Sequence, residues 1–287
     1  MSITNEAMTA NLQIGVWMGH RLDKDASKAV TDANAAESDA ARVNKHLIPK
    51  EALRPIITAM GAVRTHFYSK TLPWKDNGDR LLTRKMFTNF LQEHERLVTA
   101  FREAVSDFLD RTYPSARAQA EFRMGTLFKL EDYPSADHLR QKFYVNLDID
   151  AVTEAGDFRV TMDQGQLDSI QADMTQAMQD RLGKAMGEVW TRLATTLGHF
   201  SERMKGDTTF KVSTITNLEE LLELLPALNI MNDPDLERIR KDIKGALNGV
   251  NAKDLRGDPA VRTVVAQETQ QIMDDMAGFM KAFGGGS

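Results

Sequence analysis

The sequence predicts a mainly α protein of the α+β class, a long helical stalk carrying a small antiparallel β-sheet. Three observations lead there. An amphipathic run from Gln164 to Lys205 sets Leu167, Ile170, Met174, Met178, Leu182, Met186, Val189, Leu193, Leu197, Phe200 and Met204 three or four residues apart, the period of one helix face. Aromatics make up only 7% of the chain while methionines number 15, and methionine fills irregular gaps between helices at little rotamer cost. Strict apolar–polar alternation, the mark of a half-buried strand, is confined to residues 11–20 and 142–162.

Taken in order, Asn11 to His20 alternates Leu12, Ile14, Val16 and Met18 against Gln13, Gly15, Trp17 and Gly19, and predicts a strand. Asp25 to Lys45 is rich in Ala and Asp with few large apolar residues (Val30, Val43), which predicts an exposed helix. Pro49 precedes a better helix, Lys50 to Lys70, with Leu53, Ile56, Ile57, Met60, Val63 and Phe67. Pro73-Trp74 and Asp76-Asn77-Gly78 carry turn chemistry. From Thr88 to Thr112 an apolar stripe from Phe90 to Leu109 predicts a strong amphipathic helix, which Tyr113-Pro114 should interrupt. Ser115 to Phe128 reads as a further helix with a weak point at Gly125, and Ala136 to Leu139 as a short turn.

Lys142 to Asp150 and the segment holding Phe158, Val160 and Met162 alternate on either side of a Gly-containing loop, so they predict a hairpin. With the N-terminal strand this hairpin would complete a small sheet, since an isolated hairpin is marginal. Beyond the long helix, Thr208 to Thr216 reads as a β-branched connector. Asn217 with Glu220 resembles a capping box opening a leucine-rich helix, Leu218 to Leu228. Asp233-Pro234 and Asp258-Pro259 each place an Asp cap before Pro at the first helical position, opening helices at 235–248 and 260–283. The expected division is an α+β domain over 1–163, the long helix over 164–206 and a helical segment over 207–283. Gly284-Gly285-Gly286-Ser287 reads as an appended flexible linker.

Composition narrows function mostly by exclusion. The apolar (42%) and charged (27%) fractions are those of an ordinary globular chain. The net charge of −5 comes with mixed signs, and no Lys/Arg run forms a footprint for duplex DNA. With no cysteine, disulfides, thiolate metal sites and cysteine nucleophiles are ruled out. Residues 1–10 lack the basic and apolar regions of a secretory leader, and no stretch has the apolar length of a membrane span, so a cytosolic location is expected.

No catalytic pattern emerges. The six histidines, His20, His46, His66, His94, His138 and His199, contain no pair spaced for zinc. His94 and His199 read as packed boundary residues rather than buried bases, and Asp148, Asp150, Glu154 and Asp157 as a solvated face rather than a cation site. Neither a phosphate-binding Gly-rich loop nor a Gly-x-Ser-x-Gly elbow occurs. No cofactor and no metal are therefore expected, and the chain is expected not to be an enzyme.

Two features suggest contact between helices instead. Gly183, Gly187, Thr191, Ala194 and Gly198 form a stripe of small residues beside the Met/Leu stripe, where a second helix could approach closely. The alternative is a helix merely bent or weakened at Gly183–Gly187. Leu218, Leu221, Leu222, Leu224, Leu225 and Leu228 cover more than one face of their helix, for burial or for a partner's groove, with Leu221 and Leu225 the contact candidates.

The segments Leu12-Gln-Ile-Gly-Val-Trp17-Met-Gly19-His-Arg21, Phe108-Leu-Asp-Arg-Thr-Tyr-Pro114 and Phe122-Arg-Met-Gly-Thr-Leu-Phe128 carry a resemblance over roughly the first 165 residues. The chain resembles an uncharacterised family of phage and prophage proteins with a domain of unknown function, encoded beside a cobaltochelatase-like AAA+ ATPase and a von Willebrand A-type protein. The resemblance implies a phage-encoded protein in the bacterial host cytosol, with those two proteins as candidate partners, and it transfers no functional residue. The expected function is a non-enzymatic interaction or assembly protein that forms a homo-oligomer through coiled-coil-like helix contacts. The alternatives are a nucleic-acid-associated accessory protein using Arg80, Arg84, Lys85 and Arg96, and an adaptor of the AAA+ ATPase.

Overall fold

The computed structural model describes residues 3–152, 164–205, 211–250 and 252–283. It is mainly α with a small antiparallel sheet, the fold class read from the sequence. The chain forms two compact units, neither of them continuous in sequence: 1–11, 68–90 and 148–287 in the first, 12–67 and 91–147 in the second. The short strands and turns of 68–90 belong with the C-terminal helices in the first unit.

In the first unit, β1 (Ala7–Gly15) pairs through its opening residues with β5 (Arg80–Thr83), antiparallel, in the register Ala7 with Thr83 and Ala10 with Arg80. β5 in turn pairs with β4 (Leu72–Pro73) across the Trp74–Asp79 turn, and β6 (Tyr144–Ala151) follows β1 in the order β4-β5-β1-β6. Thr9 Oγ1 donates to the Asp150 carbonyl at 3.2 Å. The expected strand at 158–162 lies outside the described residues. β1's sheet neighbour on the other side is β5, which like β4 beyond it is too short for periodicity to mark.

The helical part of the first unit is built on α7 (Gln164–Lys205), whose 42 residues span the predicted run and extend about 63 Å. α8 (Val212–Leu228), α9 (Pro234–Ala246), α10 (Ala252–Gly257) and α11 (Pro259–Phe283) follow. α8 begins within the expected connector, and its Pro226 sits in the last turn. Both Asp-Pro starts cap as expected: Asp233 Oδ1 accepts from the Asp235 and Leu236 amides, and Asp258 Oδ1 from those of Ala260 and Val261.

α11 runs back along α7, with Met273 near Gly198 and Phe279 stacked on Trp190 at 5.9 Å. Met186, Val189, Leu193, Leu197 and Phe200 are fully buried there with Leu218, Leu222, Ile239 and Ile243. Earlier in α7 the stripe is only half-buried, at Ile170, Met174, Met178 and Leu182. The reason is reach: past Phe279, α11 has four residues left, about 6 Å of helix.

Arg192 ties the 68–71 backbone to α7 within this unit. Its guanidinium donates to the carbonyls of Tyr68, Ser69 and Thr71 at 2.8–3.0 Å, taking acceptors that a helix C-terminus leaves open.

In the second unit, β2 (His20–Asp23) pairs antiparallel with β3 (Val43–His46) in a separate two-stranded sheet. The expected helix at 25–45 is α1 (Lys24–Ala33) alone, capped by Asp23, and the chain then turns back into β3. α2 (Arg54–Lys70) follows a 3-10 turn at Lys50–Leu53. α3 (Phe87–Asp107) does not break at Pro114. It widens into a π turn, Phe108–Thr112, and continues as α4 (Tyr113–Ala118), so proline's missing N–H and its bulk are absorbed without a stop. α5 (Ala120–Met124) ends at Gly125, whose φ of +53° suits glycine, and α6 (Ala136–Arg140) is short. The core gathers Ile48, Leu53, Ile56, Phe101, Phe108, Leu109, Tyr113, Leu139 and Phe143.

Candidate functional site

Where the structure puts the sequence-derived candidates decides which can act. Leu225 is 1% exposed and belongs to the core, while Leu221 is half-buried. Along the small-residue stripe, a Cβ on Gly183 would meet nothing within 4 Å, whereas one on Gly198 would touch Met273 at an ordinary 3.7 Å. Thr191 is exposed and returns its hydroxyl to the Gly187 carbonyl at 2.8 Å, and Ala194 is half-buried. The stripe thus meets α11 at its C-terminal end and is open at Gly183.

The basic residues of the nucleic-acid alternative are largely occupied. Arg80 donates to Thr71 Oγ1 and to the Thr71 carbonyl, Arg96 makes a double contact with Glu93, and Lys85 reaches the Pro226 carbonyl at 3.4 Å. Arg84 is exposed. His94 is buried 6.4 Å from His66, and burial pushes its imidazole below the usual histidine range; His199 is exposed. Asp148 and Asp150 are exposed, and no cluster of three metal-binding side chains occurs among the described residues. No described helix is long and apolar enough to cross a membrane.

The second unit holds a feature that sequence reasoning passed over. Phe122 on α5 is 98% exposed, an extreme value for a phenyl ring, and Leu127 and Leu130 beside it in the chain are also exposed. The same α4–α5 region carries a cleft of about 480 Å³ lined by Tyr113, Pro114, Ala118, Phe128, Leu130 and Ala136, with Arg117 and Glu121, the residue before Phe122, among its walls. That volume is within the ~300–1,000 Å³ of ordinary binding pockets. Neither Arg117 nor Glu121 forms an ion pair with a described residue.

This exposure is not a sign of loose structure, because the segment is fastened from behind. The Arg123 guanidinium donates to the His46 carbonyl, and Tyr133 Oη to the Leu47 carbonyl at 3.0 Å. Tyr113 Oη donates to the Pro134 carbonyl at 2.6 Å, and Ala120, fully buried, packs with Leu47 and Tyr133.

Beneath it Lys45, 3% exposed, sits between Asp23 at 3.1 Å and Asp132 at 2.5 Å and donates to the Leu127 carbonyl at 3.1 Å. Arg21 reaches Asp132 at 3.1 Å, and Lys129 pairs with Asp25 at 2.7 Å. The Ala26 amide and then Lys45 hold the Asp23 carboxyl below the usual range. For Lys45, burial opposes the charge, yet hydrogen bonds to Asp132 and Asp23 outweigh it and leave the ammonium harder to deprotonate than usual. β2, β3 and the 127–132 segment therefore form one braced platform, with Phe122 on its outer side.

No protein-family model, no curated protein and no solved structure matches this chain.

Proposed function

We propose that this protein is an interaction module that assembles with a second copy of itself, and that the Phe122 platform is the contact. The observation that carries the reading is a 98% exposed phenyl ring at Phe122, directly after Glu121 in the chain, which lines a mostly apolar cleft of about 480 Å³. A two-fold interface uses the same patch on both subunits, so it needs a self-complementary surface of this kind. Each Phe122 would enter the partner's cleft. The charges follow the same symmetry, since Arg117 on α4 and Glu121 on α5 would each meet the opposite charge on a two-fold partner. The helix-mediated assembly expected from the sequence is kept in this proposal, with the contact at α4 and α5 in place of the small-residue stripe.

Burying one phenyl side chain contributes about 1.5–3 kcal/mol. Two per dimer contribute about 3–6 kcal/mol, or roughly 10²–10⁴-fold in Kd. Light scattering on the eluting full chain tests this. Wild type is expected as a dimer at concentrations where Phe122→Ser is a monomer with an unchanged circular dichroism spectrum. A wild-type monomer at every concentration refutes the proposal, as does a Phe122→Ser protein that dimerises as well as wild type.

A further inference from the structure

The first unit carries a second surface whose chemistry differs from that of the Phe122 platform. A cleft of about 340 Å³ lies between the β4–β5 turn and α7, lined by Pro73, Trp74, Lys75, Asp76, Asn77, Arg181 and Lys184. Three cations from two chain segments share it. Arg181 and Lys184 are three residues apart on α7 and so lie on one helix face. The Arg181 guanidinium sits 5.9 Å from the centre of the Trp74 ring, which holds it over the turn. Neither Arg181 nor Lys184 forms an ion pair with a described residue.

The turn is closed by its own hydrogen bonds, and the Asp79 carboxylate is taken up within it. The Trp74 and Lys75 amides both donate to the Asp79 carbonyl at 3.1 Å, and the Asp79 amide donates to Asn77 Oδ1 at 3.1 Å. The Asp79 carboxylate accepts from Asn11 at 3.0 Å and Asn77 at 3.2 Å and pairs with Lys75 at 3.4 Å. Gly78, at φ +96°, allows the turn to close. Of the lining residues, Asp76 is the sole acid against Lys75, Arg181 and Lys184.

We propose that this cleft binds a phosphate group, with Arg181 and Lys184 as its principal ligands and Lys75 at the rim. A planar guanidinium matches phosphate oxygens in pairs, and an adjacent ammonium adds a point charge. Trp74 is 5% exposed and its ring faces Arg181, so no flat face is open for a base to stack on. Recognition is therefore of phosphate and indifferent to base identity. The phosphate can come from a small phosphate ester or from the backbone of a single-stranded nucleic acid.

Titration calorimetry with inorganic pyrophosphate and fluorescence anisotropy with a labelled oligothymidylate, both on the full chain, test the proposal and separate the sources. Saturable pyrophosphate binding without oligonucleotide binding assigns a small phosphate ester. Binding of both assigns the nucleic-acid backbone, with a log–log salt slope that falls by about 0.7 for each cation removed. In either case Arg181→Gln and Lys184→Gln should each weaken binding about tenfold or more with unchanged melting temperature. Lys184 is exposed, so its variant keeps the test valid should Arg181→Gln lose stability. Failure of wild type to bind either probe, or undiminished binding by the double variant, overturns the proposal.

Discussion

Replacing Lys45 by methionine tests the claim that the Phe122 platform is braced by buried charge. The change keeps the length of the apolar stem but leaves Asp23 and Asp132, 5% and 4% exposed, without the ammonium between them. Removing one partner of a buried pair costs about 3–5 kcal/mol. Arg21 still faces Asp132, and Asp23 still accepts from the Asp25 and Ala26 amides, so the lower end, about 3 kcal/mol, is expected. Hydrogen–deuterium exchange across 125–133 at pH 7 should then accelerate by about two orders of magnitude, at about 1.4 kcal/mol per decade.

The dependence on pH identifies the cause. Asp23 has a lowered pKa, so its contribution in wild type is present above the unfolded value of about 3.9 and is lost as pH falls through the folded one. Lys45 has a raised pKa, so its contribution is full below about 10.4 and lost only as pH rises through its folded value. Wild type therefore changes little through this cluster between neutrality and mild acid. In Lys45→Met the Asp23 carboxylate loses its cation and takes up a proton more readily, so the deficit in melting temperature should shrink as pH falls toward about 4. Unchanged exchange at pH 7, or a deficit indifferent to pH, refutes the bracing role.

Asp233 serves two ends at once, capping α9 through Oδ1 and accepting from Trp190 Nε1 through Oδ2 at 3.1 Å. Asp233→Ala should lose about 1 kcal/mol for the cap and about 1–3 kcal/mol for the orphaned indole N–H, read by thermal melting. Asp233→Asn keeps the cap through its one carbonyl oxygen but sets an NH2 donor against the indole N–H, so it should recover only the cap's share of the loss. Gly183→Ala should stabilise α7 by about 1 kcal/mol, because helix propensity improves and the new methyl meets nothing within 4 Å. A lower melting temperature for Gly183→Ala would mean that the open face at Gly183 is covered in solution, reviving the small-residue stripe as a contact.

The sequence made the long-range helical order legible and left the local joints obscure. The Gln164–Lys205 period and the two Asp-Pro caps mark helices whose signals are local and strong. β4 and β5 are too short for alternation to register, and they pair with residues far away in sequence. β3 sat inside an Ala/Asp-rich stretch whose helical propensity ends at Ala33 in the structure. Lys45 gave no sign of burial because a lysine is exposed unless paired, and its partners are 22 and 87 residues away. Phe122 fell inside the expected Ser115–Phe128 helix like any other apolar residue. Only the packing of Ala120 with Leu47 and the bonds of Arg123 and Tyr133 to the 46–47 carbonyls determine that it faces outward.

The most direct test of self-assembly is sedimentation of two charge-reversed chains, Arg117→Glu and Glu121→Arg, each alone and then mixed. In a two-fold contact each variant opposes like charges at both sites, whereas the mixture restores opposite charges at both. The expected result is a wild-type dimer, two monomeric variants and a heterodimer when they are combined. A monomeric wild type, or a mixture that sediments as its separate components, would contradict the Phe122 platform as the site of assembly.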